Sequence, residues 1–131
     1  MIALDTNVLI RFLVEDDLAQ SRRARVLIEA GVRRGEFFYL CEVVLCEAVW
    51  VLDRAYGFTR GRIADVLLKL SKARYVVFDS ADAVHRAIDS YRRKGGDFAD
   101  YLILERALAA GCSAVATFDR HLLKDENFIR P

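Results

Sequence analysis

Short β-favouring runs alternate with amphipathic helical patterns along this chain, and that alternation constrains its fold more than any other feature. The runs are Ile2 to Leu4, Phe37 to Leu40, Tyr75 to Phe78 and Ser113 to Thr117, with an edge strand expected at Phe128 and Ile129. A helix begins at Thr6 and Asn7 and carries Val8, Leu9 and Phe12. A second runs from a cap at Asp16 or Asp17 to about Arg34, with Leu18, Ala24, Leu27, Ile28 and Val32 as its apolar positions. Further helices are predicted from about Val43 to Tyr56, Thr59 to Lys72, Ser80 to about Arg93 and Asp97 to Gly111. Gly35, Gly57 and Gly111 supply three of the stops. Strands interleaved with helices predict an α/β fold, a three-layer sandwich whose central, mostly parallel sheet is flanked by helices.

With 131 residues, no internal repeat and a single proline at the last position, the chain is expected to form one domain over residues 1–131. Its apolar runs are short and broken by charge, so no membrane span is expected. Met1 leads almost directly into the first strand, leaving no room for a secretory leader, and a cytoplasmic location is expected. The three cysteines, Cys41, Cys46 and Cys112, lack paired CxxC spacing and read as buried free thiols. A net charge of +1 does not announce a nucleic-acid binder. The arginine runs at Arg22 to Arg25, Arg33 to Arg34 and Arg92 to Arg93 read as solvated helix faces or as phosphate contacts.

Two strands deliver carboxylates at the same edge of the expected sheet: Asp5 directly after the first, and Asp119 two positions after the fourth. Ligands of open α/β sheets bind beyond the carboxyl ends of the strands, which makes both acids site candidates, although Asp5 or Asn7 could equally cap the following helix. Glu47 sits in the apolar segment Val43 to Leu52, where an acid is unexpected unless paired or bound to metal. Asp97 and Asp100 stand three apart at a helix start. Asp97 suits an N-cap, and Asp100 falls in the first turn where the helix dipole favours an anion. Should Asp5, Glu47, Asp100 and Asp119 converge, each pair at about 4 Å would cost on the order of 4 kcal/mol at an effective dielectric near 20. A cation must then accompany them, and oxygen ligands without nitrogen or sulfur suit Mg²⁺ or Mn²⁺. Such an ion can activate water for in-line displacement at phosphorus, so the residues point to phosphodiester hydrolysis.

Asp5-Thr6-Asn7 after the first strand, Glu47 in VVLCEAVWVL, DFADYLI around Asp100 and Ala116-Thr117-Phe118-Asp119-Arg120 together resemble the PIN-domain ribonucleases, and more narrowly the VapC-type toxins of toxin–antitoxin pairs. The resemblance runs from Met1 to about Lys124. It implies a metal-dependent endoribonuclease in which Asp5, Glu47, Asp100 and Asp119 hold Mg²⁺ or Mn²⁺. Thr6 or Asn7, with Thr117, would position ligands or the attacking water, and cleavage would leave a 5′ phosphate. It also implies a homodimer and a small VapB-like antitoxin whose tail occupies the active groove. Asp100 matches the third acidic position because it directly precedes the apolar run, leaving Asp97 as a cap or outer group. Tyr101 stands where many relatives carry a small residue and is expected to narrow the groove.

Arg11 and Arg120, each close to a candidate acid, are expected either to contact RNA phosphates or to pair with Asp5 and Asp119. Trp50, Phe98, Tyr101 and Phe118 are candidates to stack on unpaired bases, with Trp50 expected in the core because its helix is apolar. His85 and His121 are isolated and read as packing or surface residues. Two further readings compete: another Mg²⁺-dependent phosphohydrolase, for which a dehalogenase-like site would need an acid where Asn7 stands, and a non-catalytic module that only binds RNA or an antitoxin.

Overall fold

Ile2–Ala3 forms β1, and its register is set by hydrogen bonds from the Ile2 N–H to the Phe37 carbonyl and from the Leu4 N–H to that of Tyr39. The computed structural model describes residues 1–131 as two compact units, Met1–Asp79 and Ser80–Pro131. In the first unit, β2 (Phe38–Tyr39) lies parallel between β1 and β3 (Val76–Val77), pairing Ile2 with Phe38 and Phe38 with Val76. Two helices connect β1 to β2, α1 (Thr6–Leu13) and α2 (Leu18–Arg33); two more connect β2 to β3, α3 (Glu42–Arg54) and α4 (Arg60–Lys72). Asp17 caps α2 by accepting the Gln20 N–H, and Thr59 caps α4 by accepting that of Arg62. Gly57, at φ 64°, reverses the chain after α3 so that the Phe58 N–H reaches the Leu52 carbonyl at 2.9 Å.

The face that α2 buries differs from the expected one. Ser21, Ala24, Ile28 and Gly31 turn inward, while Leu18 is 76% exposed and Leu27 and Val32 are also exposed. The cause is the fully buried ring of Phe38, whose Cζ lies 2.5 Å from where a Gly31 Cβ would stand. Only a residue without a side chain fits there, so small residues face the sheet and the larger apolar ones rotate outward. Gly31→Ala sets a helix-propensity gain of about 0.5–1 kcal/mol against overpacking of about 1–3 kcal/mol. Because the ring is fully buried, we expect a net loss of about 1 kcal/mol in urea denaturation. An unchanged or raised midpoint would contradict this packing.

The second unit holds α5 (Ala81–Arg93), α6 (Phe98–Ala109), β4 (Val115–Ala116) and β5 (Phe128–Ile129), with a single 3₁₀ turn at Leu122–Lys124. Ser80 caps α5, and β4 pairs parallel with β5. Helices α5 and α6 pack through the edge-on rings of Tyr91 and Phe98, and Arg86 pairs with Glu105 at 2.6 Å. Gly96 is required for space: an added Cβ would lie 2.5 Å from Leu122 Cδ2 and 2.8 Å from the Tyr101 hydroxyl. The chain is thus an α/β protein with six α-helices and parallel strands.

Two side-chain expectations are corrected. Cys41 and Cys46 are only partly buried and Cys112 is exposed, since it follows the end of α6 at the surface. Trp50 is 60% exposed, because α3 buries Val44, Leu45, Ala48, Val49 and Leu52 and leaves the face of Val43, Glu47 and Trp50 to solvent.

Candidate functional site

In the first unit the site begins at the end of β1. Asp5 is the N-cap of α1, its Oδ1 accepting the Thr6 N–H at 2.8 Å. The Thr6 side chain is buried, and its hydroxyl donates to Glu47 Oε2 at 2.8 Å. One residue therefore holds both carboxylates, through its backbone and through its side chain. Capping and ligand binding do not compete at Asp5, because Oδ2 takes no part in the cap. Glu47 does not occupy the core its sequence context suggested; it is an exposed acid fixed at one oxygen. Asn7 is exposed in the first turn of α1.

Arg11 does not pair with Asp5 as one of its two expected roles required. It pairs with Asp16 at 2.8 Å, donates from Nε to Gln20 at 2.7 Å, and meets the Tyr56 hydroxyl at 3.2 Å. Tyr56 in turn donates to Asp16 Oδ2 at 2.7 Å. That hydrogen bond, opposed by burial and reinforced by Arg11, holds the Asp16 carboxyl below its ordinary value. The network ties the α1–α2 connection to the end of α3, and Asp16 is the acid it serves.

In the second unit, Asp97 stands at the N-cap of α6 and its N–H donates to Asp100 Oδ2 at 3.0 Å. The Thr117 hydroxyl accepts the Asp119 N–H at 3.0 Å, and Asp119 Oδ1 accepts the His121 N–H at 2.8 Å, which shapes the turn after β4. Arg120 is exposed and pairs with no carboxylate, Asp119 included. Tyr101 is buried, its hydroxyl accepting the Gly96 N–H at 2.7 Å and its ring edge-on to Phe128. It serves as a packing residue of this unit and not as a wall of an open groove.

Burial pushes the Asp100 carboxyl above its ordinary value; the Asp97 N–H works against that rise, and the charges of Asp97 and Asp119 add to it. These acids therefore repel when ionised, and a cation would relieve them. The oxygens gathered in each unit are carboxylates and hydroxyls with no imidazole or thiol among them, a donor chemistry that fits Mg²⁺ or Mn²⁺. Within neither unit do three His, Cys, Asp or Glu side chains stand together at metal-ligand spacing.

The raised Asp100 value carries a pH dependence. Below the ordinary value of 3.8 both folded and unfolded chains hold the proton and there is no penalty; as pH rises the unfolded chain ionises first, and the folded state loses stability across that window. Asp100→Asn keeps an oxygen for the Asp97 N–H and removes the charge. In metal-free buffer it should raise neutral-pH stability, by less than about 1 kcal/mol because the group is partly solvated, and the gain should vanish below pH 3.8. Thermal melts at the two pH values check this; a variant less stable than wild type at neutral pH would oppose it.

A family model described as "PIN domain" matches residues 2–125. The chain is also 27% identical over 121 residues to a protein of Aquifex aeolicus (strain VF5) described as "VapC ribonuclease", a match covering 92% of this chain and 89% of that protein.

Proposed function

The chain belongs to the PIN-domain family, and we propose that it is a VapC-like toxin, a metal-dependent endoribonuclease. The observation that carries this reading is Thr6, which fixes Asp5 by its N–H and Glu47 by its hydroxyl, joining two of the four acids by which the chain resembles that family. Asp5, Glu47, Asp100 and Asp119 are the acids that would hold Mg²⁺ or Mn²⁺. Such an ion, when bound, supplies the Lewis acidity that activates water and stabilises the departing oxygen.

The chain's own groups do the rest. Thr6 keeps Glu47 in one orientation while Asp5 Oδ2 and Glu47 Oε1 stay open to a ligand. Thr117 holds the turn that presents Asp119. Asp97 steadies Asp100 through its N–H, and Arg120, exposed, would take a substrate phosphate. Hydrolysis in this arrangement would leave a 5′ phosphate and a 3′ hydroxyl. The family match runs through both units, which we take as one domain. The toxin reading adds a cognate VapB-like antitoxin that holds the enzyme inactive, a homodimer and a cytoplasmic site of action. No helix is long and apolar enough to cross a membrane.

The test is incubation of the purified protein, stripped of copurified partners, with total cellular RNA in Mg²⁺ and in EDTA. Discrete fragments in Mg²⁺ alone are expected. Folded protein that yields none, or equal cleavage in EDTA, would overturn the reading.

A further inference from the structure

A cavity of about 480 Å³ opens between α1 and α2 in the first unit, a volume within the roughly 300–1,000 Å³ of small-ligand sites. Asn7, Val8 and Arg11 line it from α1, and spacings of four and three put Arg11 on the same helix face as the other two. Gln20, Arg23, Ala24 and Leu27 face them from α2 with the same periodicity. Asn7 is two residues beyond Asp5, so the α1 end of the cavity adjoins the acid pair held by Thr6. No carboxylate is among the lining side chains.

The Arg11 network takes no part in the proposed hydrolysis, yet it sets the donors of this cavity. Arg11 Nε can only donate, so Gln20 must turn its carbonyl oxygen toward it, at 2.7 Å, and present its NH₂ elsewhere. Arg11 Nη1 is taken by Asp16 at 2.8 Å and by the Tyr56 hydroxyl at 3.2 Å, which leaves Nη2 to donate. Both side chains are thereby fixed before any ligand arrives. Asp16 balances the charge of Arg11, so the net positive charge of the cavity comes from the exposed Arg23.

We infer that this cavity binds one nucleotide. The base lies against Val8, Ala24 and Leu27 with its edge toward the amides of Asn7 and Gln20, and the phosphate takes Arg11 Nη2 and the Arg23 fork. Side-chain amides read base edges, and guanidinium forks fit phosphate. A peptide carboxylate would satisfy the arginines but leave the amides and the apolar wall without a use. The inference rests on the ribonuclease reading above for its role: the occupant is a substrate nucleotide near the cut, and Gln20 helps to select its base.

The test titrates the four ribonucleoside 5′-monophosphates into wild type in EDTA, with a mixed-sequence oligoribonucleotide and a glutamate-rich peptide as comparison ligands. Cleavage of a randomised oligoribonucleotide in Mg²⁺ is followed in parallel. One monophosphate should bind best, and its nucleoside and ribose 5-phosphate should each bind at least about tenfold more weakly. Gln20→Glu still accepts from Arg11 but has no NH₂ to offer a base. That variant and Arg23→Ala should each weaken nucleotide binding about 10- to 150-fold and raise KM for RNA, without moving Mn²⁺ affinity. Gln20→Glu should also change the base preference beside the cut. Tyr56→Phe, which releases one partner of Arg11, should weaken nucleotide binding less; a merely structural network would lower the melting temperature and leave that affinity unmoved. A monophosphate that competes with the oligoribonucleotide supports the substrate subsite. One that binds without competing would assign the cavity to a free nucleotide and overturn that role. Binding of the peptide but of no nucleotide would overturn the inference in favour of an acidic protein segment. RNA cleavage by wild type, with KM and base preference unchanged in Gln20→Glu and Arg23→Ala, would overturn the subsite and spare the ribonuclease reading. Nucleotide binding lost in both variants, with no RNA cleaved by folded wild type, would uphold the nucleotide site and remove the ribonuclease reading.

Discussion

Asp5→Asn is expected to reduce RNA cleavage by about 10³-fold or more while leaving the fold and its melting temperature nearly unchanged. The two effects should separate because the cap that is seen and the metal-site role that is proposed use different atoms of the residue. As N-cap, Asp5 uses Oδ1 to accept the Thr6 N–H, and asparagine caps a helix about as well, so the stability change should stay within a few tenths of a kcal/mol. In the metal-site role proposed for it, Asp5 would contribute charge, which asparagine lacks. A cation's stabilisation of the transition state is worth several kcal/mol, and each 1.36 kcal/mol is tenfold in rate. Initial rates on a labelled oligoribonucleotide in Mg²⁺, with a melt on the same preparation, read both quantities. Wild-type turnover by a folded Asp5→Asn protein would remove Asp5 from the site.

Thr6→Val should lower the rate about 10- to 100-fold, the range found when a group orienting a metal ligand is lost. The substitution preserves side-chain shape at a buried position and deletes only the hydroxyl that donates to Glu47. Glu47 is exposed, so water can replace that donor and stability should fall by no more than about 1 kcal/mol. What is lost is orientation: the carboxylate gains rotamers, and a higher Mg²⁺ concentration should be needed for half-maximal activity. Thr6→Ser returns the donor and should recover most of the rate. A purely structural Thr6 would lower stability without moving the Mg²⁺ dependence, and serine would not then matter to activity.

Helix boundaries were legible because they are written in local chemistry. Asp17, Thr59 and Ser80 each cap the helix assigned to them by accepting the backbone N–H three residues on, and Gly35, Gly57 and Gly111 each adopt positive φ at the stops expected. Which side of a helix is buried depends on what it meets, and there sequence reasoning failed. Periodicity put Leu18 and Val32 inside, but the Phe38 ring selects Gly31, and Ser21 is buried with its hydroxyl donating to the Val14 carbonyl. Trp50 looked like core because its neighbours are apolar, yet α3 has more apolar residues than buried positions.

The candidate site was legible for a related reason. Acids at strand ends or helix starts stand out in sequence, which is how Asp5, Asp97, Asp100 and Asp119 were noticed. Glu47 was noticed through a premise that did not hold, burial in an apolar helix; the structure instead shows it exposed and tethered by Thr6. No sequence pattern joins residues 41 positions apart, so that tether required the fold. The Arg11–Asp16–Tyr56 network was missed for the same reason, Tyr56 being distant in sequence.

The proposed function requires that Asp5 and Asp119 both bind the divalent ion on which RNA cleavage would depend. Titration calorimetry of Mn²⁺ into wild type, Asp5→Asn and Asp119→Asn, with cleavage assayed on the same samples, tests it most directly. Wild type should bind Mn²⁺ with measurable heat, and the affinity should fall at least about tenfold in each variant, with cleavage falling alongside. Equal Mn²⁺ affinity in all three proteins, or cleavage that survives EDTA, would contradict it.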